Sequence, residues 1–225
     1  AENSGGGLSG LMKQYGGLAS LAGVSLPGRE EGSRVQLGME IMKSRAFIGS
    51  FVERHDILPM LMAVESWEQA SGDMIFDAQV YDTATKTWVR DVAPPQLPEP
   101  SAQEAHKAFT KILGISEDEQ TGYVLVSIEH QSPLIAAQWV SWLVRDVNAA
   151  VKAQDVDEAT KSIEYLKQQA AKTSLAELQT VFFELIQSQT ETVMLAEVRP
   201  EYVFKTIDPA VVPEEKSKPS RALIC

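Results

Sequence analysis

Between Pro133 and Pro200 the chain has neither glycine nor proline, although it carries 14 Gly and 11 Pro in all. The 66 residues from Leu134 to Arg199 are rich in Ala, Leu, Gln, Glu and Lys, which favour helix and leave its hydrogen-bond ladder unbroken. As one straight rod the run would reach roughly 100 Å at ~1.5 Å per residue. A single globular fold of 225 residues is only about 40 Å across. The run therefore predicts a helical arm that leaves the body of its own fold, a shape suited to assembly rather than to enclosing a substrate.

The apolar rhythm divides that run. Ile135, Trp139, Trp142, Leu143, Val147 and Ala150 form a stripe expected to pack on a sheet. Val156, Ala159, Ile163, Leu166 and Ala170 then alternate by three and four. Five residues later Leu175, Leu178, Phe182, Leu185, Gln189 and Thr192 restart the rhythm, and Ser174-Leu-Ala-Glu177 has capping-box spacing. The slip predicts a helical hairpin turning near Lys172–Ser174. Both stripes have a near-heptad period, so they can pack on each other or on neighbouring subunits.

Elsewhere the signals are shorter. Residues 1–28 are rich in Gly, Ser and Leu, with Leu8, Leu11, Tyr15, Leu18 and Leu21 at helical spacing. Glycine at that density makes a helix there marginal. Gly5 to Gly10 satisfies G-x-G-x-x-G literally, but no strand precedes it within this sequence and the third Gly does not open a convincing helix, so a flexible or interface segment is expected instead of a dinucleotide site. Ser33 to Leu61 reads as one helix. Ala78–Tyr81 and Thr87–Arg90 read as a hairpin around Asp82–Lys86. Residues 93–100 read as a stiff linker. Ser101 with Glu104 caps a helix running to Leu113. Gly122–Glu129 reads as a central strand, because its apolar residues are nearly continuous. Tyr202–Ile207 reads as a strand returning to the sheet.

Composition removes several functions. A net charge of −11 and a pI near 4.8 argue against nucleic acid and against a broad basic face on anionic lipid. Cys225 is the only cysteine, so no internal disulfide and no C-x-x-C site exists. No apolar run approaches the ~20 residues that span a bilayer; Ile57–Val64 is short and broken by Pro59. No signal peptide is read. The terminal Arg221-Ala-Leu-Ile-Cys225, where polarity gives way to apolar residues, reads as a chain cut at a membrane boundary. His55, His106 and His130 are the only histidines and lack H-x-x-x-H or H-E-x-x-H spacing, so surface, capping or core roles are expected. Glu129/His130 is a minor metal or catalytic alternative. Neither G-x-S-x-G nor a Walker-type loop is present. Asp155, Asp157 and Glu158 read as solvated helix residues. Trp139 and Trp142 read as core, with sugar stacking as the alternative. No cofactor is expected.

The exit carries a resemblance. Val203-Phe-Lys-Thr-Ile-Asp-Pro-Ala-Val-Val-Pro213, followed by Lys218-Pro219-Ser-Arg221, resembles the segment leading into the second transmembrane helix of bacterial polysaccharide co-polymerases, the Wzz-type O-antigen chain-length determinants. Met42-Lys-Ser-Arg-Ala-Phe-Ile-Gly-Ser-Phe-Val52 with Leu58-Pro59 is similar to the family's first helix. Gly122–Pro133 with Ala136-Ala-Gln-Trp139 is similar to its strand-to-helix step, and Ser162-Ile-Glu-Tyr-Leu166 with Met194-Leu-Ala196 to its arm. The proline motif is assigned to Pro209, Pro213 and Pro219. Its spacing departs from the family's Pro-x-x-Pro-x4-Ser-Pro-Lys, since three residues separate Pro209 from Pro213 and Lys218 precedes Pro219.

The resemblance implies an α+β fold with a membrane-proximal mixed α/β base (1–149 and 200–213), a long projecting α-helical hairpin arm (150–199) and a juxtamembrane Pro-rich segment (214–225). It implies a non-enzymatic regulator of lipopolysaccharide O-antigen chain length at the bacterial inner membrane, facing the periplasm. Its partners would be further copies in an octamer-like ring, the O-antigen polymerase and undecaprenyl-linked polysaccharide. The alternative is the periplasmic domain of a capsule or exopolysaccharide co-polymerase with a cytoplasmic tyrosine kinase domain. A soluble coiled-coil adaptor and a glycan-processing enzyme are the remaining readings; the latter lacks paired carboxylates on adjacent strand ends.

Overall fold

The computed structural model describes residues 30–213. The Gly-rich stretch 1–28, Pro219 and the segment 214–225 lie outside the described residues. Among the described residues the fold is mixed α/β and more than half helical, with small sheets, consistent with the α+β class. It divides into two units, one of Met39–Val147 with the chain from Thr206, the other of residues up to Gly38 with Asn148–Lys205.

The expected Ser33–Leu61 helix is three helices: α1 (Glu30–Lys43), whose residues are shared between the units, then α2 (Arg45–Arg54) and α3 (Leu58–Met62) in the Met39–Val147 unit. Local chemistry makes both breaks. Ser44 is extended, at φ −70 and ψ 148, and its Oγ accepts from the Phe47 N–H at 3.2 Å, capping α2. At the far end Asp56 takes φ 49, a left-handed residue that stops a helix. Pro59 then sits in the first turn of α3, where its missing N–H costs nothing.

Strands β1 (Val64–Trp67) and β2 (Met74–Phe76) pair antiparallel, as do β3 (Tyr81–Asp82) and β4 (Thr87–Trp88). The β3–β4 hairpin lies where expected but is shorter, with Tyr81 opposite Trp88 and Asp82 opposite Thr87. Its turn is built by the Asp82 carboxylate, which accepts from the Ala84 and Thr85 N–H groups and the Thr85 hydroxyl. The 93–100 stretch is no spacer. Arg90 donates to the Pro98 carbonyl at 2.7 Å, to the Leu97 carbonyl at 2.9 Å and to Glu104 at 2.9 Å, folding the prolines back as a loop. Helix α4 (Ala102–Ile112) starts at the expected capping box, with Ser101 and Glu104 each serving the other's backbone N–H.

Gly122–Glu129 yields β6 (Val124–Ile128), paired antiparallel with β5 (Leu113–Glu117) from Leu113↔Ile128 to Glu117↔Val124. It is not central in a sheet. Each sheet of the described residues has two strands, and Leu125 is 69% exposed. An unbroken apolar run here marks a hairpin with a wet apolar face, not a strand covered on both sides.

The core of this unit is helix on helix. Met42, Ile48, Phe51, Ile57, Phe109, Trp139 and Leu143 are fully buried. Trp139 and Leu143 stand near the start of α5 (Pro133–Lys172). Phe51 meets Phe109 edge-on at 5.4 Å, and Phe109 lies 6.1 Å from Trp139. The Ile135–Ala150 stripe packs through Trp139 onto the α4 ring Phe109 and beside His130, just past the end of β6. Each such side chain removed from water contributes about 1.5–3 kcal/mol.

In the other unit, the α5 residues from Asn148 onward are followed by α6 (Ala176–Val198), so the hairpin break falls where the slipped rhythm placed it. Ser174 does not cap α6. Leu175 occupies the N-cap without a side-chain bond, and the Gln179 amide closes the turn from α6 by donating to the Thr173 carbonyl at 3.0 Å. Leu166 and Leu185 form a small core, flanked by Val181, Phe182 and Ile186. Ala159, Ala170, Ala196 and Gln189 are also buried, whereas Leu175, expected in the stripe, is 61% exposed. Tyr202–Ile207 is not a strand. The Asn148 side chain serves the inward backbone groups of Val203 and Phe204 in place of a neighbouring strand.

Candidate functional site on the helical pair

The feature of the helical pair with most potential for recognition is its outward apolar surface. Helix α5 contributes Tyr165, 53% exposed; α6 contributes Phe183 at 62% and Met194 at 60%. Leu195 and Val198, near the end of α6, are also exposed. The near-heptad rhythm spends its inward positions on Leu, Ala and Gln, so these larger side chains fall between the buried ones. Charge beside them is paired locally: Lys161 donates to Asp157 at 2.6 Å, and Gln154 to Glu158 at 3.2 Å. Lys161 is held above its ordinary value, first by its hydrogen bond to Asp157 and then by that carboxylate's charge. Asp155 is not simply solvated. It accepts from the Tyr202 hydroxyl at 2.8 Å and lies 3.5 Å from Arg34.

The titratable groups of the Met39–Val147 unit are tied into its packing. His55 Nε2 is 2.8 Å from the buried Asp146 carboxylate, which also accepts from Arg54 at 2.9 Å and Arg145 at 3.2 Å. The His55 ring stacks on Trp142 at 4.3 Å. Burial alone pushes the Asp146 carboxyl up; hydrogen bonds from His55 and Arg145, the His55 charge and Arg54 outweigh it and hold the group below its ordinary value. His106 Nε2 meets the Lys43 carbonyl, and His130 Nε2 meets the Met60 carbonyl, both at 3.0 Å. His130 Nδ1 accepts from the Ser132 N–H at 3.0 Å. Trp139 is fully buried beside His130, 5.0 Å ring to ring.

No group of three or more His, Cys, Asp or Glu is placed to hold a metal among the described residues. An open groove of about 670 Å³ runs between Asp77–Val80 and Val89–Val92; Arg90, its cation, is already committed to Glu104 and two carbonyls. Among the described residues no helix is long and apolar enough to cross a membrane. Pro209 and Pro213 lie in exposed chain outside regular structure; Pro219 is outside the described residues.

Sequence reasoning missed Asn148, Asp146 and Gly38. Asp146 pairs with His55 across 91 positions and Asn148 with Phe204 across 56, beyond the reach of any local pattern. Gly38, alone in the middle of α1, did carry a signal, since an interior helical glycine asks for a packing reason. Comparison with protein-family models, curated proteins and solved structures gives no match.

Proposed function

We propose that the chain is the periplasm-facing part of a non-enzymatic regulator of O-antigen chain length. In this reading it is a homo-oligomeric scaffold that works beside the O-antigen polymerase at the bacterial inner membrane. The observation that carries the reading is the apolar surface of the helical pair. Tyr165, Phe183 and Met194 are each more than half exposed on helices long enough to line up with those of another copy. Large apolar side chains left in water along such helices are candidates for a partner's seat. The residues similar to the Wzz-type exit, 203–213, and to its strand-to-helix step, 122–139, support the same reading. Such a scaffold acts by where it holds the polymerase and the growing glycan, with no bond made or broken on its own side chains.

The test is a lipopolysaccharide ladder from a strain lacking the gene and from the same strain complemented. Complementation should turn a broad length distribution into a tight modal cluster. An unchanged ladder with altered capsule or secreted polysaccharide would transfer the reading to the co-polymerases with a tyrosine kinase domain. No change in any glycan would overturn it.

A further inference from the structure

Tyr202–Phe204 is attached to the helical pair through side chains. Asn148, 3% exposed, commits its whole amide to this segment. Its Oδ1 accepts from the Val203 and Phe204 N–H groups, both at 2.8 Å, and its Nδ2 donates to the Phe204 carbonyl at 2.9 Å. One residue thereby satisfies three main-chain groups that a ladder would otherwise serve.

Seven positions along α5, on the same face, Asp155 accepts from the Tyr202 hydroxyl at 2.8 Å. Arg34 of α1 lies 3.5 Å from that carboxylate, with its guanidinium 5.8 Å over the Tyr202 ring. One turn along α1 is the buried Gly38. A Cβ at that position would meet the Phe204 ring at 2.6 Å and a Val203 methyl at 3.3 Å. Glycine inside a helix is unfavourable relative to alanine; here its bare backbone makes the seat for the ring.

We propose that Tyr202–Phe204 is a releasable latch. It closes on Asn148, Asp155 and Gly38 as one unit and opens by local unfolding, freeing the chain around it while α5 and α6 stay folded. The bonds to Asn148 share a single side chain, so they form and break together. The residues on either side, 199–201 and 205–213, are exposed. Opening therefore exposes the rings of Tyr202 and Phe204, the Val203 side chain and a few polar groups, far less than melting either helix. Closed, Tyr202–Phe204 lies against α5 and α1; open, those contacts are lost. The latch belongs to a single chain and stands apart from the assembly reading.

Native-state hydrogen exchange on the full chain, read amide by amide over increasing denaturant, tests it. The Val203 and Phe204 amides should exchange together, faster than those of Leu166 and Leu185 and with little dependence on denaturant. Asn148→Ala should accelerate both about ten- to a hundredfold, the worth of one or two hydrogen bonds, and leave Leu166 and Leu185 unchanged. Gly38→Ala gives an opposed pair of effects: better helix propensity in α1, yet faster exchange at 203 and 204 and faster tryptic cutting after Lys205. If Asn148→Ala does not fold, Gly38→Ala decides the question. The latch is overturned if Val203 and Phe204 exchange only together with the helix cores, if either folded variant leaves them unchanged, or if Asn148→Ala accelerates all amides equally.

Discussion

Set side by side, the two units differ in what fills their cores, although both leave some large apolar side chains in water, Leu97 and Leu125 in the first and Phe183 and Met194 in the second. In Met39–Val147, Trp139, Phe51, Phe109 and Met42 are fully buried. In the helical pair, buried positions include Leu166, Val151, Ala159, Ala170, Ala196 and Gln189, whereas Tyr165, Phe183 and Met194 are exposed. The first unit buries its largest rings, Trp139, Phe51 and Phe109, within its own chain. The second is held by smaller increments and keeps apolar area in water, where burial against another molecule would still gain about 25 cal/mol per Å². In the proposed reading, fold stability and association would draw on different regions.

The sharpest way to break this comparison is to hollow out each core. Trp139→Ala should cost about 3–5 kcal/mol, and Leu166→Ala about 2–4, in chemical denaturation. Hydrogen exchange should place the first loss in residues 39–147 and the second in the helical pair. Equal acceleration in both units by either variant would show one cooperative block in place of two.

A smaller effect comes from acid. The Glu104 carboxyl is lowered from 4.5 to about 2, first by the Arg90 hydrogen bond and then by the Ser101 N–H. Its value in the folded chain lies below its unfolded one, so its stabilisation is complete above the unfolded value and fades as pH falls from about 4.5 towards 2. Thermal melts over that window should lose Tm in the wild type and lose less in Glu104→Gln. Identical pH slopes would remove Arg90–Glu104 from the ledger of this unit.

The smallest stability effect belongs to the surface. Phe183→Ser should change stability by no more than about 0.5 kcal/mol. If the proposed assembly holds, the same variant should weaken self-association of the protein in analytical ultracentrifugation. A large loss of stability would mean that Phe183 is structural after all and that the contrast between units is overstated.

What was legible in the sequence was local. The Ser101–Glu104 box, the break between α5 and α6, and the turn around Asp82 each sit within a few residues of their causes. The Ser44 break was equally local, yet Val35, Met39, Met42 and Ile48 keep helical rhythm across it and masked the cap. β5 was hidden because Leu113 completes the apolar pattern of α4 and is also the first residue of the strand. Tyr202–Ile207 misled for a different reason. Its alternation is that of a strand, but pairing is decided by what arrives beside it, and what arrives is one amide from residue 148. Of the proline motif assigned from the resemblance, Pro209 and Pro213 stand in exposed chain outside regular structure, where their role depends on what meets them.

Arg90 has one more consequence. Its guanidinium ties residue 90 to the carbonyls of Leu97 and Pro98 and to Glu104, so both ends of the intervening loop are gripped by one side chain. The peptide bonds between 91 and 96 are then not what keeps those ends together. A nick there would leave two chains still clasped across the gap, which makes this loop the natural place to open the covalent chain, splice in a tag, or move the termini.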